Sequence, residues 1–85
     1  MTYELTTRYP GVPGRIVALN AGGSTATVEF FGTHRTVRLE LVDREVAAGD
    51  YIVDQDGYAI HRIPDDDVAS TVAAYERMLL ELCRP

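Results

Sequence analysis

The chain contains no lysine and no tryptophan, and it has a single cysteine, Cys83. One thiol excludes an internal disulfide framework and any all-cysteine zinc site. Without lysine, every basic residue is an arginine: Arg8, Arg15, Arg35, Arg38, Arg44, Arg62, Arg77 and Arg84. These are scattered along the chain. Eight of them against thirteen acidic residues leave a net charge of -5 and a pI near 4.8. Nucleic-acid binding is disfavoured by that balance, because phosphate contacts need clustered cations. Long apolar runs are missing too. No stretch approaches the roughly 18 residues of a membrane span, and the opening Met1–Arg8 has no apolar signal core. A cytoplasmic protein that contacts neither membrane nor nucleic acid is expected.

The side chains of catalysis and metal binding are equally sparse. His34 and His61 are the only histidines, far apart, with no second ligand at metal spacing. Ser24 and Ser70 are not in elbow-like contexts, Cys83 has no base placed beside it, and Gly22-Gly23 precedes a strand rather than a phosphate-binding helix. Asp65-Asp66-Asp67 is explained by a helix start, where carboxylates cap backbone N–H groups and favour the positive end of the dipole. Asp54 and Asp56 lie in a loop too short for a hard-cation site. Neither a catalytic nor a metal residue is assigned, and no stably bound cofactor is expected. At 85 residues the chain makes one domain, and a domain of this size buries only about 60% of its unfolded surface. That favours a binding module over an enzyme with a walled-off cavity.

What is present is a run of short strands. Tyr9-Pro10-Gly11-Val12-Pro13-Gly14 holds two prolines and two glycines, which suppress helix and regular strand pairing. Residues 1–11 are read as a flexible N-terminal arm leading into a fixed bend, and residues 12–85 as a single barrel domain. Arg15–Leu19 reads as a mostly buried strand. Ala26, Val28 and Phe30 alternate with Thr25, Thr27 and Glu29, and Val37, Leu39 and Leu41 alternate with Thr36, Arg38 and Glu40. Period-two alternation is the signature of half-buried strands. Val28, Phe30, Val37, Leu39 and Leu41 are therefore expected inside, the second strand running from His34 to Val42. Tyr51–Val53 and Tyr58–Ile63 supply two more strands. Five strands at this spacing predict a mainly β fold, a small OB-like β-barrel. Val68, Val72, Tyr75, Leu79 and Leu82 then recur at four- and three-residue steps, widened by Ala69, Ala73, Met78 and Leu80. This stripe predicts a C-terminal amphipathic α-helix over residues 66–82 that packs partly on the barrel.

Val12-Pro13-Gly14-Arg15-Ile16-Val17, Gly32 to Val42, Gly49-Asp50-Tyr51-Ile52-Val53 and Gly57-Tyr58-Ala59-Ile60 occur in an order and spacing that resembles the HypC/HupF/HybG hydrogenase-maturation chaperones. The likeness covers about residues 12–80. It implies an OB-like barrel with a C-terminal helix and a non-catalytic role. That role is handing an Fe(CN)2CO unit from a HypD-like iron–sulfur scaffold protein to a [NiFe]-hydrogenase large-subunit precursor. In that family an N-terminal cysteine and a histidine in a His-Val-Gly-Phe-Ala phrase are tied to iron and partner binding. Position by position these fall on Tyr9 and Gln55. Tyrosine and glutamine cannot replace a soft thiolate ligand, whereas Tyr9 can anchor an interface. The expected partner-binding residues are Tyr9, Pro10, Val12, Pro13, Gly14, Gln55 and Tyr58. The alternative is an accessory or regulatory subunit that reuses the same barrel in another enzyme complex.

Overall fold

Alternating polarity is realised most cleanly in the second strand, where Ala26, Val28 and Phe30 are buried and Thr25, Thr27 and Glu29 are half-exposed. The computed structural model describes residues 11–42 and 44–82. In chain order it has β1 (Val12–Leu19), β2 (Thr25–Phe30), β3 (Thr33–Arg38), β4 (Tyr51–Gln55), β5 (Tyr58–Ile63) and helix α1 (Asp65–Leu82). The strands close into a barrel in the order β1-β2-β3-β5-β4. β1 is antiparallel to both β2 and β4, whereas β3 and β5 are parallel and meet at Arg38↔Tyr58. The mainly β, OB-like barrel with one C-terminal helix is thus the fold. Ile16, Ala26, Val28, Phe30, Val37, Ile52 and Ala59 form the core, with Val12, Leu39, Val42 and Val46 packed against it.

Three local expectations are corrected. The proline–glycine stretch does not stop pairing: β1 begins at Val12, and Val12, Pro13 and Gly14 pair with Asp54, Val53 and Ile52. Proline is tolerated there because pairing of β1 with β2 begins only at Arg15, so Pro13 has a strand on one side alone. Arg15–Leu19 is not mostly buried. A bulge between Ile16 and Ala18 shifts the register, and Ala18 and Leu19 face solvent. Finally, Leu41 is 59% exposed rather than inside. β3 ends at Arg38, and Leu39 N–H makes one last bond to the Ser24 carbonyl (2.9 Å), where β2 has not yet begun. With no neighbour left, the chain turns through a Val42 N–H to Leu39 carbonyl bond of 3.2 Å.

The β2–β3 and β4–β5 connections are two-residue turns whose central residues all have positive φ: Phe31 (51°) and Gly32 (94°), Asp56 (56°) and Gly57 (88°). This is the turn whose twist matches paired strands. Asp-Gly suits it; an aromatic residue in that conformation is uncommon. Phe31 is offset by a contact, its ring stacking on Tyr75 of α1 with centroids 5.4 Å apart and planes 17° apart. At the start of the helix, Arg62 reaches Asp50 (3.3 Å) and Asp65 (3.4 Å), joining the β4 entry, β5 and the first helical turn. Burial works against ionisation of Asp50, but the Arg62 hydrogen bond and the Ala47 N–H outweigh it and hold the carboxyl below its ordinary value. Along the stripe, Val68, Val72, Tyr75, Met78 and Leu79 are half-buried, while Leu80 and Leu82 are 72% and 73% exposed.

A side chain at Gly14 would occupy space held by Phe30. An added Cβ would lie 2.5 Å from the ring and 2.6 Å from Val28. Gly14→Ala is expected to destabilise the barrel by about 1–3 kcal/mol through overpacking, read as a lowered urea midpoint. A second expected outcome concerns the helix dock. A double-mutant cycle of Phe31→Ala and Tyr75→Ala should give a coupling of about 0.5–1.5 kcal/mol, and zero coupling would mean that the ring pair does not hold α1.

Candidate partner-binding site

The end of the barrel at which β1 begins gathers most of the chemistry. Val12 pairs with Asp54, and Gln55 pairs with Tyr58 across the β4–β5 turn, so three of the expected residues stand around one rim. Val12 and Tyr58 are half-buried and Gln55 is exposed. Gly11, at a φ of 124°, lies so close to β4 that a Cβ there would be 2.5 Å from the Asp54 carbonyl oxygen. The chain therefore enters the barrel directly beside Asp54 and Gln55. Pro13 and Gly14 are buried. Pro13, with Arg15, Glu29, Phe31, Tyr51, Val72 and Glu76, lines a shallow cleft of about 200 Å³ between the barrel wall and α1. Arg15 and Glu29, opposite each other on β1 and β2, form a 2.8 Å ion pair in it. Tyr9, Pro10 and Cys83 lie outside the described residues.

Inside this rim sits a buried acid that alternation alone does not reveal. Asp54 is 3% exposed, and its Oδ1 has no hydrogen-bond partner. The other oxygen faces the Arg35 guanidinium at 3.7 Å. Arg35 in turn lies over the Phe30 ring, 5.1 Å from its centroid, as Arg38 lies over Tyr58 at 5.4 Å. Arg35, Asp54 and Phe31 are not among the partner-binding residues expected from the sequence, where Asp54 stands only as an acid of a short loop. Their signals were an acid continuing the apolar run Tyr51-Ile52-Val53, and an aromatic residue preceding a turn glycine. Burial pushes the Asp54 carboxyl up and Asp56 adds to it, with Arg35 and the Gly57 N–H pulling the other way. Among the described residues no group of three or more His, Cys, Asp or Glu side chains could hold a metal ion, and no helix is long and apolar enough to cross a membrane.

Val12-Pro13-Gly14, paired with Asp54-Val53-Ile52, and Gln55, paired with Tyr58, frame this rim, and a HupF/HypC family profile matches residues 10–75. The chain belongs to the HupF/HypC family. Hydrogenase-maturation chaperoning is thereby its general role. Comparison with curated proteins gave no significant match. Within this HupF/HypC barrel, Gln55 is exposed on the rim. Gln55 and Tyr9 do not supply the donor set of a soft iron ligand.

Asp54 generates a pH-dependent expectation. Because its folded value is raised, its contribution to stability is complete below the ordinary 3.8 and is lost as pH rises through the raised value. Asp54→Asn removes the titration and the buried negative charge. Its melting temperature relative to wild type should match below pH 3.8 and rise progressively from there to the raised value, then level off. The gain is of order 1 kcal/mol, the scale of one unsatisfied buried acceptor. A difference that stays flat or falls with pH would mean that the Arg35 pair dominates.

Proposed function

We propose that this protein is a cytoplasmic [NiFe]-hydrogenase maturation chaperone that acts by protein–protein contact, without catalysis and without itself holding the iron unit stoichiometrically. The carrying observation is the rim: the entry of the chain at Gly11–Val12 beside Gln55 and Tyr58, the same positions through which the family resemblance runs. Its partners on this reading are a HypD-like iron–sulfur scaffold and a large-subunit precursor, and Tyr9, Pro10, Val12, Pro13, Gly14, Gln55 and Tyr58 are the contact residues. The Fe(CN)2CO unit is cargo held chiefly by the partner, since a phenol and an amide replace thiolate and imidazole.

Association costs conformational freedom at the interface, and an aromatic anchor such as Tyr9 is well suited to offset it. Deleting residues 1–9, or Tyr9→Ala, should leave the thermal melt unchanged and weaken affinity for the scaffold or precursor by about 1–3 kcal/mol, measured by titration calorimetry. Unchanged binding would move the interface to the helix or the barrel wall. A second expected outcome is that the purified protein elutes from gel filtration without stoichiometric iron. Retained cyanide and carbonyl infrared bands would overturn the cargo assignment.

A further inference from the structure

Among the described residues, closure of the barrel leaves most of the outer edge of β3 open. β3 is fully paired with β2, from Thr25↔Arg38 to Phe30↔Thr33, but its other side meets β5 at Arg38↔Tyr58. The two-residue turn makes Phe30↔Thr33 the hydrogen-bonded closing pair, so Thr33, Arg35 and Val37 direct their N–H and C=O groups to β2. His34, Thr36 and Arg38 then direct theirs outwards. The Arg38 N–H confirms that parity by donating to the Gly57 carbonyl at 2.9 Å, while Leu39 N–H turns back to Ser24. Among the described residues, the backbone groups of His34 and Thr36 consequently have no strand beside them. Both residues are exposed. The parallel register explains the gap: β5 starts opposite the end of β3, so residues 33–37 run past the Asp56-Gly57 turn with nothing to pair.

We propose that this edge of β3 takes an extended, acidic segment of a maturation partner by strand addition. The inference rests on the chaperone reading above and names the kind of segment the chaperone receives. Edge backbone supplies affinity in such complexes, and flanking side chains supply selection. Selection here is electrostatic. In a chain of thirteen acidic and eight basic residues, the six residues of β3, Thr33-His34-Arg35-Thr36-Val37-Arg38, contain two arginines, a histidine and no acid. The Arg35 and Arg38 side chains remain 58% and 55% exposed despite their pairs with Asp54 and Glu40. A guanidinium carries five N–H donors, so one carboxylate leaves capacity for another. Charge at an edge ordinarily discourages pairing with a copy of the same strand. The same arginines thus repel a second β3 and attract an acidic one.

The test uses the full chain, isotope-labelled, with three capped peptides in which valine and threonine alternate with glutamate, with lysine, or with glutamate plus N-methylation of every backbone nitrogen, which blocks both edges. The acidic peptide should slow amide exchange at His34 and Thr36 by about tenfold or more, with no slowing by the other two. Thr36→Pro removes the outward N–H without touching the β2 ladder, and should abolish the effect with an unchanged melt. If that variant fails to fold, the N-methylated peptide carries the comparison alone. Absence of protection, protection elsewhere, or equal protection by the lysine peptide overturns the proposal. Wild type and Thr36→Pro are then titrated with the full-length scaffold and the large-subunit precursor. Loss of binding in the variant supports edge addition. Equal binding overturns it and leaves the chaperone reading intact. Wild type that binds neither partner while protecting its β3 amides against the peptide supports the edge and sinks the chaperone reading.

Discussion

Closure of the barrel depends on the absence of a side chain at Gly14. β1 pairs with β2 on one side and β4 on the other, and the Phe30 ring fills the space directly above the glycine. A buried aromatic is the largest single apolar group this small core can recruit, and it reaches the core only because one residue of β1 contributes backbone alone. The ring then serves a second purpose, as a face on which Arg35 lies. Arg35 is thereby held near Asp54, so the electrostatics of the rim derive from the same close approach that closes the fold.

The helix is attached more lightly. None of its residues is fully buried, and its half-buried stripe is supplemented by two localised contacts, the Phe31–Tyr75 stack and the Arg62 bridge between Asp50 and Asp65. Phe31 accepts a left-handed backbone that other aromatic residues avoid. Strain of this kind persists when the surroundings over-determine it, and the stack on the helix supplies that constraint. Barrel and helix thus differ in character: one is fixed by a continuous core, the other by a few side chains at the surface.

As a member of the HupF/HypC family, the chain builds its barrel on a few small and turn residues and sets a polar rim around them. Pro13 and Gly14 frame the core, and Gly57 permits the turn that sets Tyr58 opposite Gln55. Around that frame, the rim presents an amide, a phenol, two stacked guanidiniums and a buried carboxylate. Such a set recognises protein surfaces by hydrogen bonding and charge more readily than it ligates a soft metal.

Alternation in residues 25–30, the glycine-containing turns and the four- and three-residue stripe of residues 68–82 determined the strand set, its inward residues and the helix, because side-chain period follows directly from backbone geometry. The Pro-Gly, Gly-Thr and Gly-Tyr segments, in order, carried the family. Sequence did not disclose that Val12–Gly14 pairs, that Leu41 is left outside, or that Asp54 is buried, since each depends on where a neighbouring strand begins or ends. Pro13 is acceptable because β2 has not yet arrived, and Leu41 is exposed because β2 has already gone. The open edge of β3 is of the same kind. It exists because β5 enters the barrel at Tyr58 rather than a few residues earlier, and only the closed tertiary arrangement fixes that offset.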